Sequence, residues 1–406
     1  MKEINGGVVA AKGFYANGIN AGIRKKNGKR DLALIYTEKK AVAASMYTSN
    51  KVKSAPIYVT KDNISDGYAQ AVICNSGNAN TCNADGIEIA TKTCELLAKE
   101  LKINAKDVIV ASTGVIGMRM SIEPFENGIA ELVKGLSQDS TASAIAAEGI
   151  MTTDTRLKEC AVEFVIDGKT CHLGAITKGA GMIMPNMATM LCFVTTDVAI
   201  SKDMLDKALH KATSLSFNML SVDGDTSTND MVSVLANGLA ENKLIDSENA
   251  DYKIFEEALI HVTKTLAKKM AKDGEGATKL MVVSVHNAKT EKDAKIVAKS
   301  CVCSSLLKAA MFGADANWGR VLCAIGYSAA DVDVNKVEVQ FKSAKGTILV
   351  CQNGAGVEFS EEKAKEILLE DDIEIFIDLH DGKGEAEAFG CDLTYDYVKI
   401  NGDYRS

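Results

Sequence analysis

At 406 residues the chain exceeds one average domain, so two lobes or one large α/β unit are the expected organisations. Acidic side chains outnumber basic ones, 54 to 46, and a net charge of −8 argues against general nucleic-acid or membrane-surface binding, which needs a basic face. Hydrophobic residues make up 47% and only three residues are proline, so a well-packed globular protein with little linker is expected.

The N-terminus lacks a basic region followed by an apolar run, and nothing in it resembles a transit peptide. Eleven cysteines in such a chain fit a reducing cytoplasm, where cysteine serves as a small core hydrophobe. A cytoplasmic protein is the expectation. The basic run Arg24–Arg30 (RKKNGKR) is short and reads as a solvated turn.

In chain order, Ala71–Cys74 is an apolar strand followed by a Gly/Asn loop, Asn75–Asn83. A helix is expected from about Asp85 to Leu101, with Ile87, Ala90, Cys94, Leu97 and Leu101 on one face. Val108–Ala111 is a second buried strand and ends in Ser112-Thr113-Gly114. Eighteen uncharged residues then run from Gly179 to Thr196. Pro185, Asn186 and several Gly and Thr make this a poor membrane span. It reads better as a glycine-rich loop, Lys178 to Asn186, entering a buried strand, Met190 to Thr196. A helix follows Ser201, with Asp203 in its first turn. Helices near Tyr252–Lys272 and Glu291–Met311 flank a strand at Leu280–Val285. The last third is strand-rich, at Val337–Phe341, Thr347–Cys351, Ile373–Leu379 and Glu385–Lys399.

Metal and nucleotide signals are weak. The five histidines, His172, His210, His261, His286 and His380, are scattered, and neither C-x-x-C nor H-E-x-x-H occurs. The acidic segment Asp223–Asp230 (DGDTSTND) could offer carboxylate oxygens to Ca²⁺ or Mg²⁺, but it lacks the EF-hand glycine and terminal glutamate. No structural metal is expected. Phosphate-loop and dinucleotide glycine patterns are absent.

Thr189 stands where the glycine-rich loop meets the strand. A cut between Ala188 and Thr189 would leave its hydroxyl beside a free α-amine of pKa about 7.7–8.0, able to act as its own general base. The plain alternative is a core strand entered through a Gly-rich turn.

The wording around Thr189, Lys178-Gly-Ala-Gly-Met-Ile-Met-Pro-Asn-Met-Ala-Thr189-Met-Leu, closely resembles the self-cleavage segment of the ornithine acetyltransferase (ArgJ) family. The likeness extends from the N-terminal GGVVAAKGF to the terminal NGDYRS. The alternation of strands and helices predicts an α/β fold with a β-rich end from about residue 330, and the resemblance implies a layered αββα-type sandwich resembling N-terminal-nucleophile hydrolases. It further implies a division into an α chain, 1–188, and a β chain, 189–406, that assemble two of each.

Thr189 would first attack the Ala188 carbonyl and later carry acetyl as an acyl-enzyme. Gly179 and Gly181 would permit the strained local geometry of the first step. By resemblance, the Thr113 side chain and the Gly114 N–H form the oxyanion hole, and Thr152 (or its neighbour Thr153), Lys178, Thr189, Glu275, Asn401 and Ser406 contact substrate. Serine stands last where threonine is also usual, which keeps the hydroxyl.

The implied activity is transfer of acetyl from N²-acetylornithine to glutamate in arginine biosynthesis, without a cofactor. Some family members also use acetyl-CoA, and these residues do not decide whether this chain does. A self-processing aminopeptidase or amidase of related fold would use the same nucleophile with water as acceptor. A metal or nucleotide binder built on DGDTSTND is the non-enzymatic alternative.

Overall fold

The computed structural model describes residues 1–24, 28–184 and 190–402. In chain order the strands are β1 (Lys2–Ile4), β2 (Phe14–Ile19), β3 (Leu32–Tyr47), β4 (Tyr68–Asn75), β5 (Val108–Ser112), β6 (Lys158–Ile166), β7 (Lys169–Lys178), β8 (Leu191–Thr196), β9 (Leu220–Ser221), β10 (Met231–Ala236), β11 (Leu280–Ala288), β12 (Glu338–Ser343), β13 (Gly346–Gln352), β14 (Ala355–Gly356), β15 (Asp372–Asp378) and β16 (Gly384–Cys391). The helices are α1 (Ala55–Asn63), α2 (Gly86–Leu101), α3 (Glu123–Lys134), α4 (Ser140–Ile150), α5 (Lys202–Leu215), α6 (Ala250–Lys272), α7 (Glu291–Cys303), α8 (Ser305–Phe312), α9 (Trp318–Gly326), α10 (Glu361–Leu368) and α11 (Tyr395–Asn401). The described residues group into two compact units. One is drawn from Met1–Gly179, Asn186–Ser214 and Thr226–Leu266, the other from Ala180–Pro185, Leu215–Asp225 and Ala267–Ser406.

The first unit is built on a mixed sheet of order β1-β6-β7-β8-β10-β3-β4-β5, with β2 also paired to β3. Its strands β5, β8 and β10 are buried along their whole length because both faces are covered. Side chains alternate across the pleat, so Ala33 and Ile35, Val72 and Cys74, and Ile109 and Ala111 share one core with α4 residues Ala142, Ala146 and Ile150. Leu32 and Leu34, Ala71 and Ile73, and Val108 and Val110 join the other core with Ala90, Cys94 and Leu97 of α2 and Phe125 and Ile129 of α3. Helix, sheet and helix thus make three layers.

The second unit carries a sheet of order β14-β13-β12-β15-β11-β16-β9. Here the alternation is plain. Met281, Val283, Val285, Ile373, Ile375, Ile377, Val339 and Phe341 point into one core with α7 to α10, while Ser284, His286, Glu374 and Asp378 lie on the opposite side of their strands. The strand-rich end from residue 330 shares this sheet with β11. The α/β class is the one expected, and among the described residues no helix is long and apolar enough to cross a membrane.

Among the elements that differ from expectation, three have a clear local cause. Glu291–Met311 is two helices, because Ser304 adopts an extended backbone and its hydroxyl accepts the Leu307 N–H at 3.2 Å, capping α8. Glu385–Lys399 is a strand that gives way to α11, capped by Thr394. The long strand β3 escapes the apolar pattern because Glu38-Lys39-Lys40 interrupts it, where the β3–β4 register shifts.

Candidate active site

β4 and β5 run parallel and pair Asn75 with Ser112, so the turns that follow them meet. Ser112 Oγ donates to Asn75 Oδ1 at 2.6 Å, and the Thr113 N–H donates to the Asn75 carbonyl at 2.9 Å. Asn229 braces both turns, its amide donating to the carbonyls of Ala79 (2.6 Å) and Ser112 (2.7 Å). Gly114 has φ +131°, and a Cβ there would stand 2.3 Å from the backbone of Gly77. Neither the conformation nor the space admits another residue. The Thr113 side chain is buried. Among the described residues, neither its hydroxyl nor the Gly114 N–H has a hydrogen-bond partner. Two adjacent, fixed, unengaged donors are what stabilisation of an oxyanion requires.

Thr152 and Lys178 meet through Asp154, a residue the sequence did not single out. The Asp154 carboxylate is fully buried and accepts from Lys158 Nζ (2.7 Å), the Gly179 N–H (2.7 Å) and the Thr152 N–H (3.0 Å), with Lys178 Nζ at 4.0 Å. Burial alone would raise its pKa, but the ammoniums of Lys178 and Lys158 and the Gly179 N–H hold it well below the usual carboxylate range. Lys178 itself is only 8% exposed. It is a fixed charge at the end of β7 rather than a solvated one.

In the second unit Glu275 and Asn401 come together, Asn401 Nδ2 donating to Glu275 Oε2 at 2.7 Å. Glu275 is buried, and its N–H donates to the Ala180 carbonyl at 2.8 Å. A Cβ on Gly181 would lie within 2.4 Å of the Glu275 carboxylate. Backbone freedom was the expected reason for both loop glycines. Gly179, with φ +152°, fits it, whereas Gly181 is not in the positive-φ region and serves by leaving room for Glu275.

The loop after Gly181 is held by the acidic segment that resembled a cation site. Asp223 accepts the N–H groups of Met182 (2.6 Å) and Ile183 (2.8 Å), so its carboxylate binds backbone. Among the described residues, no group of three or more His, Cys, Asp or Glu side chains is placed to hold a metal. Burial, followed by the nearby charge of Asp223, pushes the Tyr397 pKa upward. Ala188, Thr189 and Ser406 lie outside the described residues.

The arrangement has relatives. A model of the ArgJ family matches residues 15–406. Over 407 residues, and over the whole of both chains, the sequence is 50% identical to the arginine biosynthesis bifunctional protein ArgJ of Caldanaerobacter subterraneus subsp. tengcongensis. It is 46% identical over 411 residues, again all of both chains, to the glutamate N-acetyltransferase of Methanocaldococcus jannaschii. A crystal structure of the ArgJ protein of Bacillus halodurans is 48% identical, with a TM-score of 0.51, and its chain is matched in full by 53% of this one. The chain belongs to the ArgJ family.

Proposed function

We propose that the chain is a self-cleaving acetyltransferase of arginine biosynthesis, moving acetyl from N²-acetylornithine to L-glutamate through an ester on Thr189. In maturation the Thr189 hydroxyl oxygen adds to the Ala188 carbonyl carbon, the C–N bond breaks, and the nitrogen takes up the proton. Water then hydrolyses the ester, freeing the Ala188 carboxylate and restoring the hydroxyl beside a new α-amine. In turnover the same hydroxyl displaces ornithine from its acetyl group, and the glutamate amine then displaces Thr189, giving ping-pong kinetics.

Both reactions pass through an oxyanion, and the observation that carries the reading is the unengaged donor pair at Thr113 and Gly114. Thr152, Lys178, Glu275 and Asn401 are carried as substrate contacts from the family resemblance, and each is held by partners within its own unit. Ser406 is carried as a further contact. The solved relative's chain matches 53% of this one, close to the share a β chain of 189–406 would occupy, which supports the cut. The reaction needs no cofactor, with acetyl-CoA as an alternative donor, and the cut protein assembles as two α and two β chains in the cytoplasm.

Intact mass under denaturing conditions tests the cut. Two fragments, the second beginning at Thr189, are expected from the wild type, and one chain without transfer activity from Thr189→Ala. Cutting in Thr189→Ala would overturn the assignment. Incubation of the cut enzyme with N²-acetylornithine and glutamate should yield N-acetylglutamate; release of free acetate alone would favour the amidase reading.

A further inference from the structure

The segment Met182–Met184 lies four residues from the proposed cut, and its backbone is pinned at each position within the second unit. Asp223 accepts two successive N–H groups, from Met182 and Ile183. The Ile183 carbonyl accepts the Val222 N–H at 2.6 Å, and the Met184 N–H donates to the Asp225 carbonyl at 2.8 Å. Met182 sits at φ +57°, an unfavourable conformation for a side-chain-bearing residue, which persists only when its surroundings impose it.

The clamp is itself braced from behind. Lys308 Nζ, buried in α8, donates to the Val222 carbonyl, and Lys299 Nζ of α7 donates to the carbonyls of Asn218 (2.9 Å) and Leu220 (2.5 Å). Two lysines thus fix the segment Asn218–Val222 that leads to Asp223, and Asp223 fixes the loop.

From this geometry we infer that Asp223 is a positioning residue for self-cleavage, holding Met182–Ile183, the described backbone that leads into the proposed cut. The inference rests on the reading that the chain cuts itself between Ala188 and Thr189. Asp223 makes and breaks no bond. It limits the conformations of a segment in which attack on the preceding carbonyl demands a strained backbone. An amide at this position would keep one acceptor and turn an N–H₂ toward a backbone N–H, losing one charge-assisted bond.

The test follows the fraction of intact chain with time, by denaturing mass spectrometry, in the wild type, Asp223→Asn and Asp223→Glu. Melting is compared in the uncut Thr189→Ala background. Asp223→Asn should cut about 10- to 100-fold more slowly, the worth of one hydrogen bond to a charged group. Asp223→Glu keeps both acceptor oxygens and should recover much of the rate. All chains should melt within about 2 °C of one another, as expected when no packing is lost.

Equal cutting rates in the wild type and Asp223→Asn would overturn the inference while leaving the self-cleavage reading intact. Slow cutting in both variants with lowered melting would overturn it in favour of a general structural role. A wild type that never cuts would overturn the reading itself, and the inference with it.

Discussion

Thr113 illustrates how one side chain is made useful by what its neighbours decline to do. Asn75, Ser112 and Asn229 satisfy one another and the local carbonyls, which leaves the Thr113 hydroxyl and Gly114 N–H unengaged among the described residues. Thr113→Ala should lower the rates of cutting and of transfer by about 10²–10³, the worth of one oxyanion donor. Single-turnover assays would expose the loss, and unchanged rates would remove Thr113 from the hole. Asp154 acts through charge. Its folded pKa lies below its ordinary value of 3.8, so its contribution is fully present above that value and is lost as the pH falls toward the folded one. Asp154→Asn leaves Lys158 and Lys178 as buried cations and should destabilise the protein by about 3–5 kcal/mol near neutral pH. In urea unfolding, the gap from the wild type should narrow as the pH drops below about 4, and a gap independent of pH would refute the electrostatic role.

At the level of elements, much was legible where local pattern and tertiary packing agree. The apolar strands at β4 and β5, the amphipathic α2 and the alternating strands of the second sheet all announce themselves. Ser304 hid a helix break because a capping serine looks like an interior one until its hydroxyl is seen turned to the Leu307 N–H. β3 hid because an exposed Glu-Lys-Lys run interrupts a strand buried on both faces elsewhere. The candidate residues divide in the same way. Thr113, Gly114, Lys178 and Glu275 stand in short motifs that the family resemblance points to. Asp154 and Asp223 take their meaning from partners 25 and 41 residues away, Gly179 and Met182, which only the fold brings near.

Over the whole molecule, the proposed cut does not coincide with the division into units. β8 and β10 follow the cut, yet they lie in the first sheet between β7 and β3, which precede it. β8 pairs antiparallel with β7 and parallel with β10, and β10 pairs antiparallel with β3. Severing the chain therefore removes no strand pairing. The cut protein should run as one particle by native mass measurement and separate only when unfolded. Fragments that part in dilute buffer would contradict the interleaving. Before the cut, the meeting of β7 and β8 is an event within one chain, independent of how dilute the protein is. Afterwards it is an encounter between two molecules, and recovery from denaturant becomes a question of concentration. Maturation would then act as a ratchet: the protein gains its nucleophile and gives up the route by which it first folded.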